Sequence, residues 1–529
     1  MGLVLAAMVP LMASAQPTNG NARSLSLRDC LNLALTHNVD VQINRYTPQI
    51  AEYNLKAGYG AYDPVLELTA KHSFVDQPAQ FNPKKWVPNS TAALGPGIAK
   101  TVRVDSEYEL TTDTVKPELT GRLPTGLSYD LFARADHLDA KTFPSVLDQA
   151  DISMNAPALI PFLIPALTND YYATVGLTLK QPLLKDFWID RSREAIQLNK
   201  KNLQITELAL RGHLMSIVTA VSSAYYNLID AREHINVQQQ ALQLAQQLLA
   251  DTHKKVQAGT MTPLDEKQAE ADIETVRTAL FGAEQTYTED ENLLKNLLTD
   301  NYQSWMDVRI VPSENLEVAD LPANRSVSWV NALSKRPDIQ EMRINLEKQD
   351  IITRFTYNQL FPSFDLVGSY GWQAVQHRFS DSWNDIGEGA NPFYSVGVVV
   401  SFPLGNRTAR NEYQASKLAK QQAFLQYKKL EQGVITEVDT AVKLAETTYK
   451  QITSTRKARE FAQAALEVEQ TKYVNGTSTS LLVQQSQRNL TQARSAEIRA
   501  LTDYNIALSR LALSEGTTLE RNQINVKTK

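Results

Sequence analysis

The amino-acid sequence predicts an internally duplicated α+β membrane protein in which long antiparallel coiled-coil helices are joined to short amphipathic strands. Three observations predict it. The second part of the chain repeats the first in register, each repeat carries a helical pattern of about 65 residues, and each carries paired strands with one apolar and one polar face.

The repeat comes first because it limits architecture before any motif is named. Val221 falls on Val438, Ile235 on Ile452, Lys255 on Lys472, Gly259-Thr260 on Gly476-Thr477 and Leu294 on Leu511, all at one constant spacing without a gap. Upstream, Ala34-Leu35 falls on Ala332-Leu333, Arg45 on Arg343 and Pro64 on Pro362 at a second spacing, while "VGLTLKQPL" from Val175 matches "VGVVVSFPL" from Val396. The gap between that second spacing and the one of the strand match leaves about 77 extra residues in the first half, inside an insertion over 75–169. The predicted organisation is a signal segment 1–15, a first repeat 16–299, a linker 300–324, a second repeat 325–515 and a tail 516–529.

Each repeat reads as helix, two strands, long helix, turn, helix. One strand face is Leu66, Leu68, Ala70, His72 and Phe74, and its counterpart presents Phe364, Leu366, Gly368, Tyr370 and Trp372. The returning strands present Val175, Leu177, Leu179 and Val396, Val398, Val400. This alternation fits a barrel wall between lipid and a watery lumen, and fits a soluble sandwich equally well.

Helix length separates the two. A rod of 65 residues spans about 100 Å, which no globular core requires. A seven-residue seam through Leu214, Val221, Leu228, Ile235, Leu242, Leu249 and Val256 predicts left-handed coiled-coil packing. The shorter helices, Leu25 to Gly58 and Thr262 to Leu298, together match one long helix, so two laid end to end are expected to flank each long one. At Gly259 and at Asn475-Gly476 a residue able to take positive φ ends a helix, and Thr262 or Thr479 starts the return. Four strands from one chain fall short of the roughly eight that a barrel needs, so several chains must contribute.

The doubled order, Pro64 and Pro362 entering the strands, "QPLL" and "FPLG" leaving them, and "YVNGTSTSLLVQQSQ" at the second turn resemble the TolC-type outer-membrane efflux proteins from about Leu25 to Ser514. The resemblance implies a homotrimer with a 12-stranded transmembrane β-barrel, four strands per protomer, above a trimeric α-barrel in the periplasm. It implies passive conduction in a tripartite efflux or type I secretion system, with a periplasmic adaptor at the turns and an inner-membrane RND or ABC transporter behind it. The adaptor would meet Gly259, Thr260, Asn475, Gly476 and Thr477. In the family, polar contacts and a ring of aspartates close the turn end. By position, Asp265 and Tyr473 match one contacting pair, and Gln485 is a third gate candidate. Ser478 stands where an arginine would complete a second contact, and Leu482 and Gln485 stand where the aspartates would be. Capping of Thr262 competes with the gate role of Asp265, and burial in the seam competes with that of Tyr473.

With 53 basic and 58 acidic residues, the charge carries no bias toward nucleic acid. The apolar start ending in Ala13-Ser14-Ala15 fits an export signal. No later segment approaches the roughly 18 apolar residues of a spanning helix, so any crossing uses strands, with lipid as partner. Cys30, the single cysteine, reads as a structural thiol outside a lipobox. There is no HExxH, phosphate-loop or GxSxG motif, and neither catalytic, metal nor cofactor chemistry is expected. Tyr171, Tyr172 and Trp372 fit an interfacial girdle. The insertion is expected to extend the strands or fold over the mouth rather than enter the wall. An exported coiled-coil adhesive or structural protein would explain the rods but not the duplicated amphipathic hairpins. A periplasmic adaptor carries one helical hairpin rather than two.

Overall fold

The computed structural model describes residues 22–81, 104–146, 166–318 and 324–524; the expected signal segment lies outside them. The chain divides into two compact units. One holds residues 1–52, 201–346 and 422–529, and the other holds 53–200 and 347–421.

The first unit is helical. β1 (Ala22–Leu25) pairs in parallel with β6 (Arg309–Pro312). The first repeat supplies α1 (Leu27–His37), most of α2 (Val39–Tyr59), most of the long α3 (Arg191–Gln257) and α4 (Pro263–Leu298). The second supplies α5 (Arg325–Lys335), the start of α6 (Pro337–Asn358), most of α8 (Arg407–Val474), α9 (Ser480–Ser514) and the short α10 (Thr518–Arg521). α3 and α8 run for 67 and 68 residues, as the patterns predict. Among the described residues no helix is long and apolar enough to cross a membrane.

The helix expected from Leu25 to Gly58 is two helices broken at Asn38. Asn38 Oδ1 accepts the Val41 amide at 3.1 Å and its Nδ2 donates to the Leu297 carbonyl at 3.0 Å, so the break is where α4 ends against the α1–α2 junction. The second repeat breaks at the equivalent Arg336. Around the first junction, Cys30, Leu31, Val41, Leu214, Met215, Tyr225 and Leu294 form the largest apolar core. Burial pushes the Cys30 thiol up to about 12, which suits an inert packing role.

The predicted seam holds only in part. Leu214, Val221, Leu228 and Ile235 are buried, but beyond them burial shifts to Ala241, Ala245, Leu248 and Thr252, leaving Leu242, Leu249 and Val256 half-exposed. A straight helix repeats at 3.6 rather than 3.5 residues, so a strict seven-residue row drifts off the contact face.

The second unit centres on an antiparallel sheet in the order β2 (Val65–Phe81), β3 (Val104–Arg122), β4 (Ser128–Val146), β5 (Ala166–Pro182), β7 (Ser363–Gln376) and β8 (Pro392–Ser401), with α7 (Phe379–Gly387) between the last two. The sheet corrects the expected strand count: the described residues supply six strands to it, not four. The insertion enters the sheet, because β3 and β4 take up the hydrogen-bonding edges of β2 and β5 that a simple hairpin would have joined to each other. The expected faces hold. Leu66, Leu177, Tyr370 and Val396 lie on one side of the registered sheet, opposite Thr69, Thr178 and Ser369. The apolar side is bare at the sheet ends: Tyr394 and Val396 are 81% and 78% exposed, and Leu66 and Leu68 74% and 71%. Of the expected girdle, Trp372 meets Tyr370 edge to face at 5.0 Å and Tyr171 stacks on His137 at 4.5 Å, whereas Tyr172 lies on the other face.

Candidate functional site

Both helix turns belong to the helical unit and are built alike. Gly259 and Gly476 have φ of +70° and +76°, a conformation that costs other residues strain. No neighbour lies within 4 Å of a methyl group added at either, so the backbone alone demands glycine there. Past each glycine a threonine turns back on the helix it leaves. Thr260 donates from its amide and its hydroxyl to the Lys255 carbonyl, both at 2.9 Å, and Thr477 donates to the Lys472 carbonyl at 2.9 and 3.2 Å. The Asn475 amide continues the helical ladder to the Thr471 carbonyl at 3.1 Å.

The return helices differ at their first turn. Thr262 and Asp265 form a reciprocal capping box: Asp265 Oδ2 accepts the Thr262 amide at 3.0 Å and the Thr262 hydroxyl at 2.7 Å. These bonds hold the Asp265 carboxyl below its ordinary range. At the second turn Thr479 accepts the Leu482 amide at 3.5 Å, and the residue at the Asp265 position is apolar. There Glu469, on the preceding helix, accepts a hydrogen bond from Ser478, which holds its carboxyl below the ordinary range.

Of the three gate candidates, two come near each other and one stands apart. Tyr473 is 4% exposed, inside a cluster with Leu248, Leu466, Val483 and Leu490. Its hydroxyl lies 2.9 Å from Thr252 Oγ1 and donates to Met261 S at 3.3 Å; burial raises its pKa. Asp265 is not its hydrogen-bond partner. Instead Asp265 Oδ1 accepts from Ser480 at 3.5 Å, a bond that joins the two turns. Gln485 is exposed and donates along its own helix to Asn489 at 3.0 Å.

The sequence reading missed the residue that ties the turns most closely. Lys255 Nζ donates to the Tyr473 carbonyl at 2.5 Å and sits 3.6 Å from the centre of the Tyr473 ring. Its alignment with Lys472 was a signal, since both end a long helix, but their partners diverge: Lys472 pairs with Glu469 on its own helix. The geometry yields a clasped pair of turns. It offers no nucleophile beside a base, and among the described residues no group of His, Cys, Asp and Glu could hold a metal ion.

The comparisons follow the same two repeats. The sequence model described as "Outer membrane efflux protein" matches residues 130–299 and 329–517, its first match beginning inside β4. The pyoverdine export outer membrane protein OpmQ of Pseudomonas aeruginosa is 24% identical over 357 residues, 66% of this chain and 70% of that one. The cation efflux system protein CusC of Escherichia coli K12 is 24% identical over 322 residues, 60% of this chain and 66% of its own. Crystal structures of CusC superpose with a TM-score of 0.62 at 18% identity, covering 96% of each chain. The outer membrane channel CmeC of Campylobacter jejuni superposes with a TM-score of 0.61 at 15% identity over 93% of this chain and 86% of that one.

Proposed function

The chain belongs to the outer membrane efflux protein family, and from that premise we propose that it is the exit duct of a tripartite efflux or secretion machine. It is a channel protein of the outer membrane with its helices in the periplasm, and not an enzyme. The proposal concerns what it works with and how. Three copies associate, a periplasmic adaptor docks on the turn surfaces at Gly259-Thr260 and Asn475-Gly476-Thr477, an inner-membrane transporter of the RND or ABC class delivers cargo, and conduction through the duct is passive.

The observation that carries this reading is the bare apolar face of the six-stranded sheet, backed by a polar face and ending in β2 and β8, whose outer edges have no strand partner among the described residues. An open sheet cannot persist in lipid, because unpaired backbone groups there cost several kcal/mol each. Other copies supply the missing edges. α2 supports the same conclusion, since Val39, Ile43, Tyr46, Ile50 and Tyr53 form a coiled-coil row exposed in the single chain. Asp265, Tyr473 and Gln485 remain the gate candidates, with Asp265 and Tyr473 acting through the clasp between the turns.

Fractionation tests the reading. Heat-resistant trimers extracted from outer membranes by detergent are expected. A soluble periplasmic monomer would overturn it and favour the exported coiled-coil alternative.

A further inference from the structure

The first repeat carries two strands, β3 and β4, that the second repeat lacks among the described residues. A strand pair added inside a hairpin can leave the wall as an arm in water or join it as staves. An arm needs no continuous apolar face, whereas a stave must keep its apolar side in step with both neighbours.

β3 and β4 keep step. One row of registered residues runs across all six strands as Leu66, Leu119, Leu131, Leu177, Tyr370 and Tyr394. The adjoining row on the opposite face begins with Glu67 and Glu118, reaches Phe132 on β4 and passes over Gly176 to Gly371 and Phe393. Two inserted ion pairs lie on that face: Lys116 pairs with Glu118 at 2.6 Å and Arg134 with Asp136 at 2.7 Å. Pro117, which has no amide hydrogen to give, sits where the β3–β4 register is interrupted.

The neighbouring strand is also cut to receive the insertion. A Cβ at Gly176 would stand 2.9 Å from the tip of the Phe132 ring and 3.2 Å from that of Phe393. The equivalent glycine of the second repeat, Gly397 on the edge strand β8, has nothing within 4 Å. The glycine is thus filled where the insertion adds a neighbour and open where the sheet ends.

Directions permit closure. The strands alternate through all five pairings, so the last runs opposite to the first, and β8 of one copy meets β2 of the next in antiparallel sense. We propose that β3 and β4 are wall strands, so that three copies with six strands each close an eighteen-stranded barrel rather than a twelve-stranded one. This rests on the efflux-channel reading. Barrel diameter grows roughly linearly with strand number, so the cylinder is about 1.5 times as wide, in the range where barrels keep an aqueous channel. The duct therefore admits bulky hydrated cargo through its membrane section, and any limit on cargo size falls to the helical part.

Single cysteines in a Cys30→Ala background test this in outer membranes with a charged, membrane-impermeant thiol reagent. Leu131→Cys and Arg134→Cys sit on opposite faces of the inserted β4, and Val396→Cys marks the apolar face of β8 outside the insertion. Arg134→Cys is expected to react at least tenfold faster than the other two. Fast reaction at Leu131→Cys with Val396→Cys protected places the insertion in water and overturns the eighteen-stranded wall. Fast reaction at all three defeats the outer-membrane reading itself, and protection at all three overturns the water-filled bore. End-on electron micrographs of unmodified purified trimers supply a second measure: a ring no wider than that of a twelve-stranded relative also overturns the proposal.

Discussion

The two repeats break their first helices at equivalent places, Asn38 and Arg336, and reach equivalent acceptors by different chemistry. Asn38 Nδ2 donates to the Leu297 carbonyl at 3.0 Å, and Arg336 Nη1 donates to the Ser514 carbonyl at 3.2 Å. The first is a short neutral amide, closed locally by the Val41 amide. The second is a guanidinium shared with Asp338 at 2.8 Å and Glu437 at 2.9 Å, and the approach is tightened by Gly516 at φ +74°, where a Cβ would come within 2.8 Å of the Arg336 amide. Duplication has preserved where the backbone must turn and which carbonyl is left over at a helix end. It has not preserved the side chain that serves it.

The largest test of that comparison is to truncate both junctions. Arg336→Ala is expected to cost about 3 kcal/mol, because it removes a largely buried guanidinium with its hydrogen bonds to one carbonyl and two half-exposed carboxylates, while Asn38→Ala costs about 1.5 kcal/mol. Urea unfolding followed by helical circular dichroism measures both, and equal losses would show that the charged junction carries no extra weight. The two turns should instead behave as a matched pair. Gly259→Ala and Gly476→Ala are each expected to cost about 1 kcal/mol from positive φ alone; a difference larger than the single loss would mean that one turn has contacts the other lacks. Caps sharpen the contrast at smaller scale. Thr262→Ala should lose about 1 kcal/mol and Thr479→Ala about half that, since only Thr262 has a carboxylate partner in Asp265.

The smallest effect is in pH. The native Asp265 carboxyl is held below its ordinary range by Thr262, so its contribution is complete above the unfolded value and disappears as pH falls through the lowered native one. Asp265→Asn should flatten the acid dependence of unfolding at the first turn. Glu469, lowered by Ser478, carries the same sign at the second, and Glu469→Gln should flatten it there. If neither variant changes the acid limb, the turns do not govern it.

Much of this architecture was legible because duplication supplies an internal alignment. Matching Gly259-Thr260 to Gly476-Thr477 located both turns, and alternation at Leu177 and Val396 assigned the strand faces. The junction breaks were not legible, since Asn38 and Arg336 look like unrelated residues in continuous helical patterns and only their shared acceptors reveal the equivalence. The sequence of β4 alternates through Tyr129, Leu131 and Ala133, but that of β3 does not: Pro117 and Asp113 interrupt its apolar row, so nothing marks that run as a stave. The contacts of Asp265 and Tyr473 were half legible. Capping of Asp265 follows from local spacing, whereas the partners of Tyr473 come from another repeat and depend on how two helix ends approach.

Lys255 and Tyr473 fasten the end of one repeat to the end of the other within a single polypeptide. Parting those two ends would therefore break a hydrogen bond and strip a cation from its ring in the same movement.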